Sequence, residues 1–99
     1  MDKNEIIHLI KEYYNILVAE YGVSRIGIFG SAAKNTMTKD SDLDVFVEFK
    51  QPIGFKFIRF VEYLEDLFGR KVDVITRDGI ENIRVKDVAR NIEGTLTYV

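Results

Sequence analysis

The stretch "GIFGSAAKNTMTKDSDLDVFVEF", residues 27–49, decides the reading of this chain. It ends one apolar run on a Gly-Ser pair, Gly30-Ser31. It then sets Asp40, Asp42 and Asp44 at the mouth of the next apolar run. Strands are buried by being apolar, so carboxylates loaded onto the entrance of one call for a physical reason.

Working outward, "RIGIF" at 25–29 is a short β-branched and aromatic run closed by Gly30, which predicts a strand. "LDVFVEF" at 43–49 predicts a second, and "GRKVDVIT" carries a third around Val72 to Thr76. Residues 5–21 place Ile6, Leu9, Ile10, Tyr13, Ile16, Leu17 and Tyr21 at helical spacing, and Gly22 is a natural stop. Phe57, Ile58, Val61, Leu64, Leu67 and Phe68 recur in the same way and predict a helix over 54–68. A last helix is expected over 80–92, presenting Ile83, Val88 and Ile92 and ended by Gly94. "TLTYV" is a short strand or a loose end.

The order α-β-β-α-β-α predicts an α/β fold with a small mixed sheet and flanking helices. Strand, helix and strand from 43 to 76 form a crossover unit, so the second and third strands should run parallel in a right-handed turn. Their starts then lie at the same end of the sheet.

Composition narrows the function classes. Ninety-nine residues with 46% hydrophobic content, one proline and seven glycines fit one globular domain, residues 1–99. With no cysteine, neither a disulfide framework nor a thiolate zinc site can be built. No apolar run approaches the ~20 residues of a membrane span. The N-terminal residues Asp2, Lys3, Asn4 and Glu5 lack the form of a signal peptide, so a cytoplasmic protein is expected. A net charge of −2 argues against direct nucleic-acid binding. Arg70, Lys71, Arg77, Arg84, Lys86 and Arg90 are interleaved with Asp73, Asp78, Glu81 and Asp87, as on a solvated mixed face. His8, the single histidine, lies just off the apolar stripe of the first helix and reads as structural or surface.

Side chains alternate along a strand, so Asp42 and Asp44 point to one face, about 7 Å apart by Cα. Asp73 sits second in the apolar run "VDVI", where an unpaired charge is costly. If the two strands are parallel neighbours, Asp73 converges on the corner of Asp42 and Asp44. Three carboxylates at one corner repel one another unless a cation neutralises them, and oxygen-only ligands select a hard ion, Mg²⁺ first among them. Across from them, Gly30 lets a backbone or phosphate come close, and "SAAK" reads as the first turn of a short helix. Ser31 offers a hydroxyl and Lys34 a cation. Ten residues lie between Ser31 and Asp42, enough to bring the chain back as an antiparallel neighbour.

Each element alone has a plain structural reading. "GS" is an ordinary turn, and "DSDLD" can be a cap and an Asx-turn before a strand. A calcium loop fails, because its sixth position is Val45 where glycine is required and its twelfth is Gln51 where glutamate is required. No P-loop and no Rossmann glycine pattern occurs. It is the ordered combination that is specific.

That combination resembles the minimal nucleotidyltransferases of the DNA polymerase β superfamily: Gly-Ser, about ten residues, Asp-x-Asp on a strand, and a third acid on a later strand. Gly30, Ser31, Asp42, Asp44 and Asp73 match in order. The family often has arginine where this chain has Lys34, and glycine where it has Asn35. The resemblance implies a palm-like fold and transfer of a nucleoside monophosphate from an NTP, expected to be ATP, to a hydroxyl. It also implies two Mg²⁺ ions held by Asp42 and Asp44, with Asp73 at the ion nearer the acceptor. Larger members carry extra domains that hold the acceptor. The acceptor site here is therefore expected from another molecule or a second copy in a homodimer. Small relatives pair with a helical toxin of the HEPN class, and some are expected to adenylylate a tyrosine on it, acting as its antitoxin. The competing reading is a catalytically silent antitoxin that neutralises its partner by binding alone. Nucleotidyl transfer to a small molecule is a third reading, disfavoured for want of an acceptor domain.

Overall fold

The computed structural model describes residues 1–76 and 96–99, and the helix expected over 80–92 lies outside the described residues. The described elements are α1 (Lys3–Tyr21), β1 (Val23–Ile28), α2 (Gly30–Lys34), β2 (Leu43–Phe49), α3 (Lys56–Phe68), β3 (Val72–Thr76) and β4 (Thr97–Tyr98). The tail is thus a short strand rather than a loose end.

The helices end where the sequence tells them to. Asp2 caps α1, its carboxylate accepting from the Glu5 backbone N–H at 2.9 Å, which satisfies one of the first-turn amides. Gly22 closes the other end, its N–H donating to the Val18 carbonyl at 3.0 Å. In α3 the apolar spacing carries the fold: Phe60, Leu64 and Phe68 recur every fourth residue and all three are buried.

The sheet runs β3-β2-β1-β4. β1 is antiparallel to β2 and to β4, while β2 and β3 are parallel, as the crossover through α3 requires. Alternation divides β2 between two surfaces. Leu43, Val45 and Val47 join Ile6, Ile10, Leu17, Phe60 and Leu64 in one buried core beneath α1 and α3. Phe46 points the other way and is buried with Phe29, against Ile75 and Leu96. Asp44 shares the parity of Phe46, so it stands on the surface opposite α1 and α3.

Aromatic rings close the helix side. Phe60 meets Tyr21 and Phe49 edge-to-face, with centroids 5.4 and 5.2 Å apart. On the opposite surface Arg25 lies over the Tyr98 ring, 3.7 Å from its centroid, and pairs with Glu48 at 3.7 Å. No described helix is long and apolar enough to cross a membrane.

Candidate active site

β1 delivers the chain into α2 without a side-chain cap, through extended Phe29. Gly30 then takes φ +63°, a left-handed conformation that side chains rarely adopt. A second constraint acts on the same residue. A Cβ on Gly30 would lie 2.5 Å from Asp44 Oδ2, so the β2 carboxylate is seated directly against the backbone of the Gly-Ser turn. The main chains are joined as well, with Phe29 N–H donating to the Asp44 carbonyl at 3.1 Å. The antiparallel return expected from the ten-residue spacing therefore exists, and it brings turn and carboxylate into contact.

Asn35 explains a departure noted in the sequence. It ends α2 at φ 58°, in the left-handed region where asparagine is tolerated better than other side-chain-bearing residues. Its Oδ1 also accepts from the Lys3 backbone N–H at 3.0 Å, tying α2 to the start of α1. Asparagine thus meets the backbone requirement that glycine would meet and adds a tie that glycine cannot make.

The acids assemble through sheet register. Asp44 and Asp73 are direct partners across the parallel β2–β3 pair. Neighbouring strands lie about 4.8 Å apart, so their carboxylates emerge side by side on one surface. Asp42 immediately precedes β2. The Asp44 carboxyl is raised above its ordinary value of 3.8, first by partial burial, then by the charges of Asp73 and Asp42. All three acids thus act within one electrostatic neighbourhood.

One expectation is corrected. Asp73 is exposed, not buried among the apolar residues of its strand, because β3 is the outer strand on that side of the described sheet. The charged residue that loses solvent is Asp44, on the inner strand β2.

Ser31 is half-buried in the first turn of α2, and Lys34 is exposed at its last residue. All-oxygen donors at a like-charge corner fit a hard divalent cation in chemistry. As placed, no three acidic or imidazole side chains among the described residues close into a ready cage for an ion. The fit is therefore one of donor type and charge. A cavity of about 480 Å³, lined by Phe49, Pro52, Ile53 and Phe57 among others, lies at the far end of β2 from Asp44.

Sequence reasoning assigned Arg70 to a solvated mixed face. Its guanidinium instead donates to the Ser41 carbonyl at 3.2 Å and the Thr38 carbonyl at 3.5 Å, in the loop that delivers Asp42. No local pattern in the sequence marks this contact, which spans 29 residues.

The chain is similar to known proteins in both sequence and fold. Residues 10–99 match the family model described as a nucleotidyltransferase domain. A Methanocaldococcus jannaschii protein named "Putative protein adenylyltransferase MJ0128" is 40% identical over 97 residues, covering 97% of this chain and 96% of the relative. A solved "Structure of putative minimal nucleotidyltransferase" superposes with a TM-score of 0.74 at 28% identity, over 98% of this chain and 95% of the other. A toxin–antitoxin crystal structure with AMP-PNP shares the fold at 16% identity, with a TM-score of 0.63 over 99% of this chain and 72% of the other.

Proposed function

Because this chain belongs to the nucleotidyltransferase domain family, we propose that it is a metal-dependent protein adenylyltransferase acting on a partner toxin as its antitoxin. The observation that carries the reading is the register of Asp44 with Asp73, with Asp42 close enough to add its charge at Asp44. A scaffold has no use for that repulsion, whereas phosphoryl chemistry does.

Asp42, Asp44 and Asp73 are the residues that would hold Mg²⁺, which would supply charge neutralisation for the triphosphate and for the attacking and leaving oxygens. Gly30 leaves the space that Asp44 needs and lets a phosphate approach the backbone. The Ser31 hydroxyl donates to a phosphate oxygen, and Lys34 balances the triphosphate charge one helical turn further on. Asp73, the exposed acid, faces the incoming acceptor and takes up its hydroxyl proton. The acceptor oxygen then bonds to the α-phosphorus of ATP, the α–β phosphoanhydride bond breaks, and pyrophosphate leaves. The chain's own part is to position the reactants and to concentrate negative charge where a cation is wanted.

The acceptor in this reading is a hydroxyl, a tyrosine by resemblance, on a helical HEPN-type partner. Exposed apolar residues supply a surface for such a protein: Phe55 is 93% and Ile58 59% exposed at the start of α3, and Ile16 on α1 is 42% exposed.

Incubation with α-labelled ATP, Mg²⁺ and the product of the adjacent gene tests the reading. Label should appear on the partner in Mg²⁺ and not in EDTA. Neutralisation of the partner with no transferred label would instead establish the binding-only antitoxin. Calorimetry with ATP adds a direct check, since equal affinity in Mg²⁺ and in EDTA contradicts the metal site.

A further inference from the structure

Asp42 lies outside regular structure, yet the peptide groups on both sides of it are held, and both grips come from one dipeptide. Arg70 Nη1 donates to the carbonyl of Ser41, the residue before Asp42, at 3.2 Å. Leu43 N–H, the residue after Asp42, donates to the carbonyl of Lys71 at 3.0 Å. Arg70 also reaches the Thr38 carbonyl at 3.5 Å. Thr38 and Ser41 close a small turn on each other: Ser41 N–H donates to the Thr38 carbonyl at 3.1 Å, and Thr38 N–H donates to Ser41 Oγ at 2.9 Å. Two residues beyond Lys71 stands Asp73.

We propose that Arg70 is a positioning residue for the acidic site, locking the Ser41–Asp42 peptide plane so that Asp42 meets the cation in register with Asp44 and Asp73. This rests on the metal-site reading of Asp42 given above. Backbone hydrogen bonding from the β-ladder begins only at Leu43. Without the guanidinium, the contacts holding the plane ahead of Asp42 among the described residues would be those of the Thr38–Ser41 turn. Two features mark Arg70 as a clamp rather than a counter-ion. Its described partners are carbonyls on the loop, and no ion pair joins it to a carboxylate among the described residues. Arg70 therefore leaves the negative charge of the acids unneutralised. Arginine suits the task because its planar fork stays charged and holds a fixed direction, where a lysine ammonium is a swivelling point charge.

The experiment compares the parent with Arg70→Ala, Arg70→Lys and a control, Lys56→Ala. Lys56 Nζ makes a clamp of the same kind away from the site, donating to the Glu20 carbonyl at the end of α1 at 2.8 Å. Amide hydrogen exchange is followed by NMR without metal, and ATP binding by calorimetry at a series of Mg²⁺ concentrations. In Arg70→Ala, exchange at Ser41 and Leu43 should speed by about tenfold while the amides of α1 keep their parent rates. The Mg²⁺ concentration giving half-maximal ATP binding should rise by about three- to tenfold, and affinity at saturating Mg²⁺ should stay within about twofold of the parent. Arg70→Lys should fall between, and Lys56→Ala should leave the Mg²⁺ dependence unchanged. The proposal is overturned if exchange at Ser41 and Leu43 matches the parent, if exchange speeds equally throughout the chain, or if the Mg²⁺ requirement does not move. A parent that fails to bind ATP in Mg²⁺ would remove the metal-site reading and the positioning role that rests on it. The exchange arm would then show separately whether the loop clamp exists.

Discussion

Asp44 Oδ2 occupies the place beside Gly30 where any other residue would put its Cβ, the two positions being 2.5 Å apart. The glycine of the Gly-Ser turn is therefore set by the carboxylate of the next strand as much as by its own φ of +63°. Two features separated in sequence are one packing unit.

Gly30→Ala should consequently fail in two measurable ways. The left-handed backbone penalises a Cβ by about 1–2 kcal/mol, visible as a lower urea midpoint at unchanged slope. Displacement of the Asp44 carboxylate should also weaken ATP binding in Mg²⁺ by about tenfold or more, read by calorimetry. Parent-like ATP binding in the variant would show that the carboxylate need not sit where it does.

Gly27→Ala separates stability from the site. A Cβ there would lie 2.7 Å from the Thr97 carbonyl oxygen, a backbone atom that must move for it. Overpacking of this kind costs about 1–3 kcal/mol and should loosen β4. Exchange at Val99 N–H, which bonds to the Ile26 carbonyl at 2.9 Å, should accelerate. Nucleotide binding should persist, since Asp44 and Gly30 are untouched.

The pH dependence of stability should carry the mark of Asp44. Its folded carboxyl titrates above the ordinary 3.8 of the unfolded chain, so the folded state keeps its proton to higher pH. Stability contributed by this group is therefore greatest at low pH, falls as pH rises from about 3.8 through the raised value, and then levels off. Asp44→Asn removes that loss. In EDTA at neutral pH the variant should melt higher, by only about 1–2 °C because the group is partly solvated, and the gap should close towards acid. Mg²⁺ with ATP should stabilise the parent and not the variant. Melting curves across the pH range decide it. A variant that melts lower throughout would mean Asp44 stabilises the fold by local bonding.

Two aromatic residues of α3 and its cap should behave oppositely. Phe60 has no exposed surface and packs on Tyr21 and Phe49, so Phe60→Ala should cost about 3–5 kcal/mol in denaturant unfolding. Phe55, 93% exposed, touches little that its loss could disturb. Phe55→Ala should change stability by less than about 0.5 kcal/mol. It should instead weaken capture of the proposed partner protein, measured by calorimetry or sedimentation. Unaltered partner affinity would place the interface elsewhere.

Much of this was legible in the chain itself. Residues 43–49 and 72–76 are strands where their β-branched and aromatic runs stand, because such side chains fit a pleated, partly buried surface. The parallel pairing of those strands followed from the helix between them, since only a crossover fits the connection. The Gly-Ser turn, the two acids before and within β2 and the acid of β3 could be listed in order from spacing alone. What spacing determines is which residues share a corner. Local chemistry does not encode solvent exposure, which depends on what lies across the sheet. Asp73 stands in an apolar run yet is exposed on the outer strand of the described sheet, while Asp44 on the inner strand loses water and titrates high. The seat of Asp44 against Gly30, and the grip of Arg70 on a carbonyl 29 residues away, were set only by tertiary structure. Such contacts depend on the closing of loops between distant segments, and the pattern of neighbouring residues carries no record of where a long side chain will find its acceptor.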